Sequence, residues 1–453
     1  MDAMTQPNFL SIEQAAARMQ SGELTAPALI AACQQQIERL NPELCAFVTV
    51  MKPELPTEPG RLAGIPIAVK DLFETKGVRT TAGARFFSEH VPEDDAVAVK
   101  KLKAQGAVIM GKTNTHEIAL GVTTNNPHYG TTRNPWDTTR IPGGSSGGSA
   151  VAVATGMALG ALGTDTGGSI RIPASLCGVV GLKPTYGRIS VRGVFPLSWN
   201  LDHVGPLART VRDVALMLQV LAGYDAEDPF SIDQPVDDYL VNLEAGVRGW
   251  RLALAVGEYV EQSDAEVLQA VEAAAALLQG LGAVVEKVDA SFLRQAAVSN
   301  GVMTPADGAA YHRERLAEHP DWFGADVRQR LETGRAFSAT DYILARKTQT
   351  EMKHRLGRLF SEYDALLIPS TAITAPTIEG HDAVEQANRL TRFTSPFNLT
   401  GLPAISVPCG FNKDGLPIGL QIVSGAWREA SVLRVARAYE SQVDWGSRRP
   451  SMA

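Results

Sequence analysis

Cysteine is scarce in this chain of 453 residues: there are four, Cys33, Cys45, Cys177 and Cys409. They form no Cys-x-x-Cys pair and no zinc-ligand spacing, which excludes a disulfide framework and a zinc ribbon. Their neighbours are mostly apolar, so they read as buried free thiols, and the expected compartment is a reducing cytoplasm. Positive charge is also short. Lys and Arg number 42 against 49 Asp and Glu, for a net charge of −7. No basic excess is available to neutralise phosphates, so the expectation is no nucleic-acid partner. Long hydrophobic runs are missing. The longest weakly polar run, Ala150 to Leu162, is too short and too rich in Gly and Ala to cross a bilayer, so no membrane role is expected. Met1 to Asn8 lacks the basic and apolar regions of a signal peptide. No His-Glu-x-x-His occurs, which disfavours a zinc protease, and no metal or organic cofactor is expected.

What is present is a large core. The hydrophobic fraction is 45% and the charged fraction 20%, as in a soluble globular protein. Ser11 with Gln14 predicts a capped helix start, and Thr25 with Pro27 a second. Leu29, Cys33 and Ile37 recur on one face of that second helix, and Asn41-Pro42 is expected to end it. Ile65 to Val69 reads as a buried strand closed by Lys70. Ala96 to Gln105 reads as a helix capped by Gly106, followed by a strand from Ala107 to Met110. Asn114 to Arg140 is polar and turn-rich, the length of loop that usually lines a site. Trp250 to Val256, Asp264 to Gly280 and Ala283 to Val288 form a βαβ pattern, so part of the sheet is parallel. Ser291 to Ser338 looks helical, Asp341 to Glu362 a long helix, and Ala404 to Gly410 with Leu416 to Val423 a hairpin. Strands and helices alternate throughout, which predicts an α/β layered protein.

Two glycine-serine turns, Gly143 to Ser149 and Gly163 to Arg171, bracket the Ala150 to Leu162 run. A flexible linker carries no such ordered apolar insert. Glycine lets backbone amides converge on a ligand, and several amides pointing one way make an anion site. Two local patterns are decoys. Gly106 to Thr113 has the letters of a phosphate-binding loop, with Lys112 as its lysine, but its four middle residues are a strand, not a loop. Gly143 to Gly147 has the letters of a nucleophile elbow, but a polar stretch ending in Pro142 precedes it instead of a strand. Of the eight histidines none is presented to a serine by a motif, and His203 reads as structural. Lysine remains as base. Burial at a strand end lowers its pKa, and a neutral amine can activate a serine hydroxyl.

At these residues the chain resembles the amidase signature family, from about Ser11 to about Val443. The likeness is carried by GIPIAVKDLF (Gly64 to Phe73), GGSSGGSAVAVATG (Gly143 to Gly156), GTDTGGSIRIPASLCGVVGLKPTYGR (Gly163 to Arg188), LDHVGPLART (Leu201 to Thr210) and NLTGLPAISVPCG (Asn398 to Gly410). The resemblance implies a mixed, largely parallel central sheet flanked by helices on both sides. It implies one domain over 1–453, with a helical part at 1–60, the signature core at 61–228, a variable substrate-facing region at 229–340 and core completion at 341–453. Ser169 is then the nucleophile, Ser145 the bridging serine after a cis peptide bond, and Lys70 the base. The amides of Thr166, Gly167, Gly168 and Ser169 form the oxyanion hole, with Asp165, Arg171 and Ser146 in support. Gly121, Val122, Thr123 and Trp199 are expected to line the substrate pocket, although Trp199 serves equally well as core.

The implied chemistry is hydrolysis of linear amide C–N bonds through an acyl-enzyme, with carbamates (urethanes) and esters as further candidates. Residues 333 to 345 lack a tyrosine-rich glutamine-recognition stretch. The expectation is therefore a stand-alone amidase acting on a small molecule, with homodimerisation left open. Two alternatives are a glutaminase subunit of a tRNA-dependent amidotransferase and, from another class, a P-loop nucleotide-binding protein.

Overall fold

The computed structural model describes residues 6–56, 59–380, 383–445 and 448–453. The N-terminal reading at Met1 to Thr5, and two residues of the Lys52 to Gly60 connection, lie outside the described residues. In chain order the strands are β1 Phe47–Val50, β2 Pro66–Lys70, β3 Val108–Thr113, β4 Asn125–Asn126, β5 Gly130–Thr131, β6 Gly160–Asp165, β7 Val180–Lys183, β8 His203–Ala208, β9 Arg251–Val256, β10 Val284–Asp289, β11 Ala365–Pro369, β12 Ala404–Phe411 and β13 Pro417–Val423. Eleven of them form one sheet, ordered β1-β3-β2-β6-β8-β7-β12-β13-β11-β9-β10, and β4 pairs with β5 apart.

The mixed α/β fold is as the sequence predicts, but the large sheet is not largely parallel, since most of its neighbouring strands pair antiparallel. Parallel pairing is held in two blocks, β3-β2-β6 and β11-β9-β10, and the strands between them pair antiparallel. The predicted βαβ unit is real: β9 and β10 are parallel neighbours joined by the helix Ala265–Gly280. Successive strand residues point to opposite faces. Accordingly Leu252, Leu254, Ala365 and Leu367 enter one apolar cluster, whereas Ala253, Ala255, Leu366 and Ile368 enter another with Phe393 and Phe397. Both faces are covered, so these strands read as continuous apolar runs instead of alternating ones. No helix among the described residues is long and apolar enough to cross a membrane.

One helix end departs from expectation. The second helix, Ala26–Leu44, runs through Pro42 instead of stopping at Asn41. A proline in the last turn removes a single backbone bond. The Asn41 side chain compensates by accepting from Phe47 N at 2.7 Å and donating to Phe47 O at 3.1 Å, tying the helix end to β1.

Parallel pairing sets the site. β2 and β6 are in register, with Val69 opposite Leu162. Their C-terminal ends therefore emerge together, where ligands bind in open α/β sheets. One end carries Lys70 and the other leads from Asp165 into the second glycine-serine turn.

Candidate active site

The first turn is stitched to the second by Ser146. Its hydroxyl donates to Thr164 O at 3.2 Å, and its amide donates to Ser169 O at 3.1 Å. The helix that follows, Gly147–Ala154, is buried over its whole length. A side chain at Gly148 would collide with the backbone of Ala46 and Asn114, so glycine here is a matter of packing. The Gly144–Ser145 peptide is cis.

Lys70 is fully buried. Its Nζ lies 2.7 Å from Ser145 Oγ and 2.8 Å from Thr164 Oγ1. Burial lowers its pKa to about 7, against the opposing pull of Asp165 and Asp202. The amine is thus poised to take a proton from a hydroxyl at neutral pH. Thr164, the amine's second partner, sits in the motif quoted above, where only its neighbours carry expected roles.

Asp165 organises the second turn. Its carboxylate accepts from the amides of Gly168 at 2.8 Å and Ile170 at 3.1 Å. Arg171 donates to it through Nη2 at 2.8 Å and Nε at 3.0 Å. Burial would raise the pKa of Asp165, but the Arg171 guanidinium holds it well below the usual carboxylate range. Arg171 is itself fully buried and fills its remaining donors on Asn398 Oδ1 at 2.6 Å, Gln421 Oε1 at 2.6 Å and Thr394 O at 3.0 Å. These partners lie more than two hundred residues away, and no local pattern announces them.

One expected oxyanion donor is corrected. The Gly168 amide is spent on Asp165, so it does not face a substrate. Gly168 is glycine because its φ of +135° and the Thr394 side chain leave no room for a Cβ. The amides of Thr166, Gly167 and Ser169 have no acceptor among the described residues. The Thr166 hydroxyl donates to Asp202 Oδ1 at 2.5 Å, and the other oxygen of Asp202 takes the amides of Leu197 and Ser198. Burial pushes the Asp202 pKa up to about 6.

Ser169 borders a cavity of about 200 Å³, together with Gly121, Val122, Gly167, Asn300 and Gln329. Two expected pocket residues are corrected. Thr123 is buried beside His116, with Oγ1 3.2 Å from Nδ1, and does not border this cavity. Trp199 borders a different cavity, against Tyr311. Asn300 went unnoticed in the sequence, although it lies in the Ser291 to Ser338 stretch expected to face substrate. Its Nδ2 donates to Thr166 O at 3.2 Å. The phosphate-loop decoy resolves as a strand: Lys112, fully buried, is 3.2 Å from Asp71 and donates to Phe73 O at 2.7 Å.

Sheet, turns and buried amine define a class, a mixed α/β protein with a buried lysine in contact with a serine hydroxyl where two parallel strands end. The Amidase family model matches residues 28–433, and the chain belongs to that family, whose chemistry is amide hydrolysis. It is 38% identical to the A subunit of the glutamyl-tRNA(Gln) amidotransferase of Carboxydothermus hydrogenoformans, over 98% of this chain and 99% of that one. The solved structure of the corresponding Thermotoga maritima protein matches with a TM-score of 0.88 and 37% identity, over 99% of this chain and 98% of that one. The 6-aminohexanoate cyclic dimer hydrolase complexed with substrate matches with a TM-score of 0.87 and 30% identity, over 98% of this chain and 99% of that one.

These relatives overturn two expectations. Full-length likeness to amidotransferase A subunits contradicts the stand-alone amidase and favours the glutaminase alternative. It also contradicts a partner set without nucleic acid and limited to a small molecule, since the relatives are named as subunits of an enzyme of glutamyl-tRNA. The stretch 333 to 345 lies mostly away from the Ser169 cavity. In 333 to 345, Thr333 borders the Ser169 cavity, but Tyr342 turns to Asp307 and Ile343 and Leu344 face solvent. The negative net charge describes one chain by itself and carries no information on an assembly.

Proposed function

We propose that this chain is the amide-hydrolysing subunit of a glutamyl-tRNA(Gln) amidotransferase-type assembly, releasing the side-chain nitrogen of glutamine at Ser169. The observation that carries the chemistry is the buried Lys70 amine 2.7 Å from Ser145 Oγ. Neutral Lys70 takes the proton of Ser145, and Ser145 takes that of Ser169. Ser169 Oγ bonds to the carboxamide carbon while the amides of Thr166, Gly167 and Ser169 hold the oxyanion. Each such donor is worth about 10²–10³ in rate. The relay returns a proton to nitrogen, the C–N bond breaks, and water then cleaves the ester. The cavity supports a polar substrate, since Asn300, Thr304, Gln329, Arg330, Asn388 and Thr391 border it. Four free cysteines agree with a cytoplasmic setting.

The test is glutamate formation from L-glutamine, by the chain alone and with the other subunits of a related bacterial amidotransferase. Hydrolysis that disappears in Ser169→Ala is expected. Absence of glutamine hydrolysis in both settings, while Ser169 still reacts with a fluorophosphonate, refutes the glutamine reading and leaves the serine chemistry standing.

A further inference from the structure

His116 sits behind a wall of the Ser169 cavity and ties several parts of the site together. Its backbone amide donates to Ser145 O at 3.2 Å. Its ring lies against Gly121, where a Cβ would stand 2.2 Å from Nε2. Gly121 and Val122, with Ala119 and Leu120, border the cavity. The ring Nε2 is 3.0 Å from Asp326 Oδ2, and Nδ1 is 3.2 Å from Thr123 Oγ1. The ring is 1% exposed and the Asp326 side chain 25%. Burial would raise the Asp326 pKa, but the hydrogen bond from His116 keeps it below the ordinary value. An ionised carboxylate only accepts, so Nε2 carries the proton.

Asp326 stands in the first turn of the helix Ala325–Ala336, which supplies another wall. Gln329, Arg330 and Thr333 follow it on the same helix face and border the cavity. Val327 and Leu331, off that face, are buried in a cluster with Ile118 and Ala119. The start of the helix is fastened a second time to the same loop. Gly324 N donates to Glu117 Oε2 at 2.7 Å, and Glu117 Oε1 lies 2.9 Å from His128 Nε2.

We infer that His116 and Asp326 are positioning residues for the reaction at Ser169: their hydrogen bond sets the spacing between the wall at 119–122 and the helix wall, and so the fit of the substrate. The inference rests on the reading of Ser169 as the reacting serine, not on which amide is cleaved. The two side chains act on binding more than on bond breaking. Neither borders the cavity, and neither is hydrogen-bonded to Lys70, Ser145 or Ser169. The tie to Ser145 runs through the His116 backbone, which a side-chain substitution keeps.

The test labels Ser169 of the full chain with a fluorophosphonate carrying a butyl arm and separates its binding constant KI from its labelling rate kinact. L-glutamine is run beside it for KM and kcat. Asp326→Ala is expected to raise KI and KM by up to about tenfold, the worth of one hydrogen bond to a charged group, with kinact and kcat within about twofold. Asp326→Asn keeps an acceptor for Nε2–H and should restore both constants. Gly121→Ala drives a methyl into the ring and breaks the same bond, so Asp326→Ala added to it should cost less than Asp326→Ala alone. Unchanged KI and KM in Asp326→Ala, a loss in kinact as large as that in KI, no rescue by Asp326→Asn, or full additivity with Gly121→Ala overturns the inference. If glutamine is not hydrolysed, the glutamine reading fails and the fluorophosphonate arm decides alone. If Ser169 of the unaltered chain does not label, the site itself fails and the inference with it.

Discussion

Lys70 and Lys112 sit at the ends of neighbouring parallel strands, with Val69 opposite Lys112 and Lys70 opposite Thr113. Both are fully buried, and burial lowers the pKa of each. Their partners differ. Lys112 has the Asp71 carboxylate 3.2 Å away, and Asp71 is in turn held by the amide and hydroxyl of Thr81. Lys70 has two hydroxyls. A carboxylate at contact distance favours the charged amine, whereas hydroxyls leave it free to be neutral. Burial alone therefore does not make a lysine a base. One strand over, the same residue type under the same desolvation becomes one half of an ion pair.

Replacing each lysine by methionine separates the two roles. Lys70→Met removes the proposed base, and loss of one member of a catalytic set costs about 10⁴-fold or more in kcat. Its stability should change little, because a buried amine that gives up its charge near pH 7 is replaced by an apolar chain of similar length. Single-turnover kinetics with a thermal melt check both halves. Lys112→Met strands a buried carboxylate and should cost about 3–5 kcal/mol of stability, read by urea unfolding. If Lys112→Met abolished turnover at full stability, or Lys70→Met unfolded the protein with its intrinsic rate intact, the contrast would fail.

The pH profile gives a gentler test. In the proposed relay Lys70 acts only when neutral, so protonation as pH falls through about 7 should remove activity. Below that point kcat/KM should drop about tenfold per pH unit, and above it the rate should level. Lys112→Gln should leave the position of that limb unchanged. A limb that followed Lys112 instead of Lys70 would reverse the assignment.

Much of this site is legible through the family resemblance, because the motifs that carry it are local. Lys70 ends its own strand, Ser145 and Ser146 lie in one turn, and Asp165, Ser169 and Arg171 fall within seven residues. Long-range facts were hidden. Asn398 and Gln421 reach Arg171 only through the sheet, and the sheet order follows from no short window. The resemblance makes the Gly168 amide a free donor, and the sequence does not show that Asp165 folds back onto it. Trp199 reads equally well as pocket wall or core, and the turn at Leu197 and Ser198, fastened to Asp202, sends it to the other cavity. Residues 333 to 345 carry little information on substrate, because Thr333 alone among them borders the Ser169 cavity and most of its other walls come from distant parts of the chain.

The smallest expected effect concerns Thr164, which the comparison of the two lysines singles out as the second hydroxyl on Lys70. Thr164→Val keeps the shape and deletes that contact. Ser145 remains, so the relay survives with its amine less firmly held. A net hydrogen bond is worth about 1 kcal/mol, which corresponds to a loss of about fivefold in kcat, with KM unchanged. The split between kcat and KM is what distinguishes positioning of the base from damage to the pocket, because Thr164 does not border the Ser169 cavity. A rise in KM at constant kcat would mean that Thr164 acts on substrate through Thr166. Lys70 would then depend on Ser145 alone, and the two-hydroxyl cradle that sets it apart from Lys112 would reduce to one contact.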